Sequence, residues 1–110
     1  MSKVLCTIVE TSIFTRLVLR EMDPDDYRAL QLELARSPEL GTLIPEAGGL
    51  RKVRWRAEGR GKRGGVRLIY FWAPKRQILT MLYLYAKNER TDLTRQQLKM
   101  LAGVVKEEFK

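Results

Sequence analysis

The residues best suited to chemistry in this sequence are the cations of one basic stretch, RKVRWRAEGRGKRGGVR at positions 51–67. It holds eight of the chain's twenty-one lysines and arginines and a single acid. Lys52, Arg54 and Arg56 alternate there with apolar residues, and a period of two is that of a β-strand. Alternate strand residues lie about 6.7 Å apart on one face, a spacing comparable with the phosphate repeat of an extended single strand. Each cation alone is typical of a solvated strand face, but the set favours a surface that binds phosphates.

The loop that follows, GRGKRGG, extends this basic surface through Arg60, Lys62 and Arg63. Its first six residues match GxGxxG, but a dinucleotide site needs that turn between a strand and a helix, and a second strand follows here. A phosphate-binding P-loop is excluded as well, because Arg63 stands where a Ser or Thr would hold magnesium. We therefore predict no nucleotide cofactor, and we place Arg51 and Arg56 with the loop cations among the nucleic-acid contacts.

A second set of candidates lies where later strands begin or end. Arg67 opens an apolar strand between two aliphatic residues, where a cation is costly unless an anion or a carboxylate meets it. Tyr85 ends the next strand, and Lys87, Asn88 and Glu89 follow it directly. We expect Tyr85, Lys87 and Asn88 near a ligand, although a surface lysine is an equally ordinary interpretation of Lys87.

The composition narrows the classes of function. The chain has no histidine and one cysteine, Cys6, so a disulfide within the chain and the usual Cys/His zinc sites are excluded. Positions 1–50 carry a net charge of −3 and positions 51–110 one of +11. So uneven a distribution is typical of a protein that binds a polyanion. No apolar run is long enough to span a membrane, and we expect a cytoplasmic protein without a membrane partner and without a metal or other cofactor.

The surrounding pattern predicts the elements that position these residues. We expect a strand at 3–9, a helix capped near Thr11, and a second helix with Asp23 as its cap and Pro24 at its first position. Residues 38–49 are predicted as a loop, residues 51–57, 66–72 and 78–85 as an antiparallel meander with its last strand central, and residues 94–109 as a helix with a capping box. The expected fold is a single α+β domain over 1–110, an antiparallel sheet with an N-terminal helical hairpin and a C-terminal helix.

The order of secondary-structure elements and several sequence segments resemble those of the RelE/HigB superfamily of toxins from bacterial type II toxin–antitoxin modules, especially the HigB-like branch. The resemblance covers essentially the whole chain and rests on VETSIFTRLV, DDYRALQLELARSPELGTLIPEAGGLRKVRW, GRGKRGGVRLIYF and LYLYAKNERTDLT. It implies a RelE-like fold and a ribosome-dependent messenger-RNA endonuclease, which cuts mRNA in the ribosomal A site. It also implies a cognate antitoxin protein that holds the toxin inactive.

The resemblance also implies which residues form the site. The family's basic strand, the arginine opening the next strand and the basic group after the last strand fall on Lys52, Arg54, Arg67 and Lys87. The implied reaction is metal-independent attack of the RNA 2′-hydroxyl on the adjacent phosphorus. Arg54 and Arg67 would stabilise the transition state, because guanidinium stays charged and binds phosphate bidentately.

The resemblance identifies less directly which residues act as general base and general acid. Lys52 is the first candidate, because crowding by arginines favours its neutral amine, with Lys87 second and Glu89 a weaker base. The sequence departs from RelE at Asn88 and Thr94, where RelE has an arginine and a tyrosine, so the division of acid and base roles stays open.

Two other classes of function remain open at this point. One is a non-catalytic RNA- or DNA-binding module, or a toxin homologue that has lost its activity, since either would keep the basic surface. The other is a metal-dependent nuclease, which is less favoured because the carboxylates are scattered through the sequence.

Overall fold

Five strands and three helices are formed by the residues that the computed structural model describes, 6–56, 65–89 and 92–109. In chain order they are β1 (Thr7–Glu10), α1 (Ser12–Glu21), α2 (Pro24–Arg36), β2 (Thr42–Leu43), β3 (Arg51–Trp55), β4 (Val66–Ala73), β5 (Ile78–Ala86) and α3 (Arg95–Glu108). Among these elements no helix combines the length and the apolar character that crossing a membrane requires.

The five strands form one sheet in the order β1-β5-β4-β3-β2. Strands β3, β4 and β5 are the predicted antiparallel meander, and β5 has a neighbour on each side, as its apolar residues on both faces predicted. The sheet as a whole is mixed and not antiparallel, because β1 pairs in parallel with β5. The predicted loop at 38–49 also contains β2, which pairs with β3 over two residues and is too short for a period to reveal.

One face of the sheet is covered by α1 and α2. Phe14 and Val18 of α1 and Leu30 and Leu34 of α2 are buried together with Leu68 of β4. Thr11 caps α1 as predicted, since its hydroxyl accepts a hydrogen bond from the Phe14 N–H at 3.1 Å. Burial of these apolar side chains is the main force that holds the two helices on the sheet.

The opposite face is partly covered by α3. The predicted capping box is present, with the Thr94 hydroxyl accepting from Gln97 N–H at 3.1 Å and the Thr94 N–H donating to Gln97 Oε1 at 2.8 Å. The predicted apolar stripe of α3 packs on Ile69, Leu82 and Tyr85. The stripe consists of Leu98, Leu101, Ala102, Val105 and Phe109.

A hydrogen bond at the crossing of α1 and α2 ties the helices to the edge strand. The Tyr27 hydroxyl of α2 donates to the Glu10 carboxylate of β1, which also accepts from the Thr15 hydroxyl of α1 at 2.6 Å. Burial first, and then the hydrogen bond to Glu10, raise the pKa of Tyr27 above its ordinary value of 10.0. Both effects favour the neutral phenol.

Candidate nucleic-acid interface

The candidate site is the face of β3 that carries Lys52 and Arg54, on the side of the sheet where α3 packs. Val53, between them, is 6% exposed and belongs to the core under α1 and α2, so the predicted alternation of the two faces is confirmed. The strand register sets Arg54 directly opposite Arg67, and Arg67 directly opposite Tyr85. Directly opposite residues have Cα atoms about 5 Å apart, so the two arginines are immediate neighbours.

Arg67 combines a charged side chain with 5% exposure. Its strand neighbours Val66 and Leu68 are buried on the α1/α2 side, which puts Arg67 on the face shared with Arg54. Two like charges at directly opposite positions lower sheet stability, whereas an anion bridging both guanidinium groups would offset that repulsion. Guanidinium groups bind phosphate oxygens in bidentate fashion, which makes these two arginines the candidates for contact with a phosphate.

Lys52 lies one step along the same face. It pairs with Thr42 of β2 and Ile69 of β4, and its side chain is 26% exposed. Its Nζ donates to Asp92 Oδ1 at 2.9 Å, which ties the site to the segment that enters α3. Asp92 was not among the residues predicted from the sequence, because no local sequence pattern indicates that an acid contacts a lysine forty positions away in the chain.

A third step along this face brings together Arg56, Gly65 and Lys87. Gly65 has a φ of +73°, and a Cβ on it would lie 2.2 Å from the Trp55 carbonyl oxygen and 3.0 Å from the Arg56 Cα. Glycine is thus required for the close approach of the two chain segments. The Lys87 N–H donates to the Gly65 carbonyl at 3.2 Å, so this glycine also holds the start of the segment after β5 beside the basic face.

Arg51 lies apart from the other candidates, with which the sequence prediction grouped it as a nucleic-acid contact. It shares the opposite face of β3 with Val53, and its guanidinium donates to the carbonyls of Gly41 at 2.7 Å and Glu39 at 3.3 Å. The Tyr70 hydroxyl secures the same loop by donating to Pro38 O and accepting from Gly41 N. Arg51 therefore stabilises the loop before β2, and we leave it out of the proposed interface.

The remaining candidates differ in how accessible they are. Arg56, Lys87 and Asn88 are exposed at the end of the sheet where β3 and β5 finish. Tyr85 is 4% exposed and packs against Tyr83 with ring centroids 6.4 Å apart, so its ring belongs to the core beneath α3. Arg60, Lys62 and Arg63 lie outside the described residues.

The chemistry that this arrangement allows is electrostatic. Arg54 and Arg67 lie at directly opposite positions of β3 and β4, and Lys52, Arg56 and Lys87 add further positive charge at this side of the sheet. Within the described part of the chain, no three His, Cys, Asp or Glu residues lie close enough together to hold a metal ion. The side chains near the pair that can carry protons are Lys52, with its partner Asp92, and Lys87.

No family model matches the chain. Among solved structures, a mutant of the Escherichia coli toxin RelE in the free state matches with a TM-score of 0.61, over 91% of this chain and 96% of that chain, at 10% identity. The chain has a RelE-like fold. A chain of the intact E. coli RelBE toxin–antitoxin complex matches with a TM-score of 0.56, over 74% of this chain and 95% of that chain, at 13% identity. The RelBE2 toxin–antitoxin complex of Mycobacterium tuberculosis gives 0.53, over 74% and 96%, at 21% identity.

The RelE-like fold agrees with the fold expected from the sequence. The helices before the meander, the three meander strands and the final helix all occur in the predicted order. At these identities the likeness concerns the fold, and the function has to be argued from the side chains of the site.

Proposed function

We propose that this protein is a RelE/HigB-type toxin of a type II toxin–antitoxin module, of the HigB-like branch, and that it cleaves messenger RNA in the ribosomal A site without a metal ion. The observation that carries the proposal is the directly opposed pair Arg54–Arg67 on a RelE-like sheet, with Lys52 beside it. The fold alone supports many functions. The arginine pair is what matches a reaction at a phosphate.

The proposed reaction is an internal transfer at the scissile phosphate. The RNA 2′-oxygen attacks the adjacent phosphorus, loses its proton to a base, and forms a cyclic phosphate as the bond from phosphorus to the 5′-oxygen breaks. The leaving 5′-oxygen takes up a proton. Negative charge grows on the phosphate oxygens in the transition state, and the proposed role of Arg54 and Arg67 is to stabilise that charge; their directly opposite positions support it.

Lys52 and Lys87 are the proposed proton carriers, with Glu89 as a weaker base. The Lys52 ammonium group donates to Asp92 at 2.9 Å, and Asp92 is the acid that could receive or return its proton. The ribosome would orient the RNA 2′-hydroxyl in line with the leaving oxygen, and orientation supplies a large part of a rate enhancement. A sparse protein site is sufficient if the ribosome provides that alignment.

The partners of the proposed function are the ribosome, mRNA in the A site and a cognate antitoxin, and the proposed location is the cytoplasm. The chain's net charge of +8 favours association with the ribosome, which is a polyanion. The toxin–antitoxin complexes among the similar folds are the reason for expecting an antitoxin that neutralises this protein.

The proposal is tested by primer extension on a defined messenger, with and without 70S ribosomes in magnesium buffer, using the purified full chain after EDTA treatment and desalting to strip any bound metal. The variants are Arg54→Ala and Arg67→Ala, and the matched control is Arg28→Ala, an exposed arginine of α2 that pairs with Asp25. Wild type and control should cut at fixed codon positions only when ribosomes are present. Each site variant should lose at least about a hundredfold in rate, which is typical for one transition-state donor.

Other outcomes would replace the proposal. Cutting without ribosomes would assign the alignment of the RNA to the protein alone. RNA binding without any cutting would identify a binding module or an inactive homologue, and loss of cutting by the metal-stripped chain that an added transition metal restores would identify a metal-dependent nuclease. Full activity in both arginine variants would remove the Arg54–Arg67 pair from the mechanism.

A further inference from the structure

A cleft of about 370 Å³ opens beside Lys52, between the segment around β2 and the start of α3. Its volume falls within the range of pockets that hold small organic groups. Thr42, Leu43, Ile44 and Pro45 form one wall, and Leu93, Arg95 and Leu98 form the other with Lys52 and Asp92. The cleft is separate from the Arg54–Arg67 pair and adjoins it through Lys52.

The walls of the cleft are mainly apolar and partly open to solvent. Leu43 is 53% exposed, although it is a large aliphatic residue, and Pro45 beside it is also exposed. Aliphatic surfaces of this kind can cover the flat face of a heterocyclic base. Four polar side chains line the same space, namely Thr42, Lys52, Asp92 and Arg95, and Arg95 also pairs with Glu46 at 3.2 Å.

Asp92 determines which kind of group fits. Its carboxylate uses Oδ1 to accept from Lys52, yet it remains 70% exposed, and a carboxylate offers about four acceptor positions. A carboxylate repels a phosphate and an acidic peptide alike, so a ligand group that meets Asp92 presents hydrogen-bond donors or a positive charge. Nucleobases do this with their amino and imino groups, and cytosine, adenine and guanine carry an exocyclic amino group that uracil lacks.

The position of Lys52 connects the cleft to the RNA backbone. Lys52 and Arg54 are alternate residues on one strand face, about 6.7 Å apart, and an RNA backbone whose phosphates followed them would bring one base beside the cleft that Lys52 lines. Contacts to phosphates position a nucleic acid, and contacts to base edges discriminate between sequences.

We infer that this cleft binds one base of the RNA adjoining the scissile phosphate, and that Asp92 selects a base with an exocyclic amino group, guanine above all, over uracil. Guanine presents two adjacent donors, N1–H and N2–H, to one carboxylate. The inference rests on the proposed function, because it assumes that RNA follows the basic face, and it adds the residue that reads sequence there.

The test measures binding apart from cleavage. RNA hexamers that are 2′-O-methylated, and so cannot react by the proposed chemistry, are titrated with the full chain and followed by fluorescence anisotropy. One hexamer contains only uracil and the others carry a single guanine. Wild type should bind the best guanine hexamer about tenfold more tightly, the size expected for one good base contact.

The decisive variant is Asp92→Asn, which keeps an oxygen for Lys52 but loses the paired acceptors. It should bind all hexamers within about twofold of one another, as should Asp92→Ala. Asp25→Asn is the matched control, since it removes the same charge from an exposed aspartate on α2 and should keep the preference. The same variants are then compared for their distribution of cut sites on ribosomes.

Equal affinity of the wild type for uracil and guanine hexamers would overturn the inference, as would an equal loss of preference in Asp25→Asn. Protection of the cleft from hydrogen exchange by a protein partner, together with equal affinities for all hexamers, would assign it to that partner. If the guanine preference depends on Asp92 but no cutting occurs on ribosomes, the base site stands and the proposed nuclease fails.

Discussion

Gly65→Ala adds a single methyl group and should disrupt the candidate site, because the added Cβ meets the shortest contact found at any glycine in the described part of the chain. Gly65 precedes β4 at a φ of +73°, in the left-handed region, and it is packed against the end of β3. An added Cβ would lie 2.2 Å from the Trp55 carbonyl oxygen and 3.0 Å from the Trp55 carbonyl carbon. All the atoms that it meets belong to backbone, which cannot turn aside as a side chain can.

The magnitude follows from two contributions. A non-glycine residue in the left-handed region costs about 1–2 kcal/mol. The Trp55 carbonyl must also move by roughly 0.8 Å to reach the shortest distance that real Cβ atoms show, which weakens the last pairing of β3 with β4 by about 1 kcal/mol. We therefore expect Gly65→Ala to lower the free energy of unfolding by about 2–3 kcal/mol. The shift would also displace Arg54 from Arg67, one residue pair away.

The assay is urea denaturation followed by tryptophan fluorescence, because Trp55 lies at the perturbed position. With a urea dependence of about 1.5 kcal/mol/M, the midpoint should fall by roughly 1.3–2 M. Gly103→Ala is the control: Gly103 lies in α3, its added Cβ meets no atom within 4 Å, and the change should raise stability by up to about 1 kcal/mol. A Gly65→Ala midpoint within about 0.3 M of wild type would refute the steric argument.

Three further predictions concern other parts of the molecule. The raised pKa of Tyr27 keeps its hydroxyl neutral in the folded state above pH 10.0, where the unfolded chain loses that proton. Its contribution to stability is therefore complete below pH 10.0 and is lost as the pH rises further. Tyr27→Phe should reduce this alkaline loss of stability, measured by urea denaturation at about pH 8 and about pH 11. Thr94→Ala removes the capping box and should lower the unfolding free energy by about 1 kcal/mol, measured by thermal and urea denaturation. Arg54→Ala should reduce the slope of log affinity for single-stranded RNA against log salt by about 0.7, the value for one lost phosphate contact, whereas Arg28→Ala should leave the slope unchanged.

A strand was predicted at 3–9, close to the observed β1, but its parallel pairing and the short strand β2 escaped prediction. β1 pairs in parallel with β5, with Thr7 opposite Ile78, and β2 pairs with β3 over two residues. Parallel pairing depends on contact between segments that are far apart in the chain, and it leaves no period in either segment alone. Similarly, β4 and β5 shift register between Ile69 and Tyr70, which leaves Leu82 as an extra residue facing α3. A bulge of this kind follows from packing on both faces of the sheet.

The sequence by itself determined the elements whose signals are local. Alternation in β3 assigned Lys52 and Arg54 to one face, and the Thr94–Gln97 spacing located the start of α3, because side-chain direction and capping depend on residues two to four positions apart. Only the tertiary structure decided which residues from different elements meet. It set Arg54 against Arg67, turned Arg51 toward the loop before β2, and brought Asp92 to Lys52. These contacts arise from strand register and from burial of both sheet faces, which act across the whole chain.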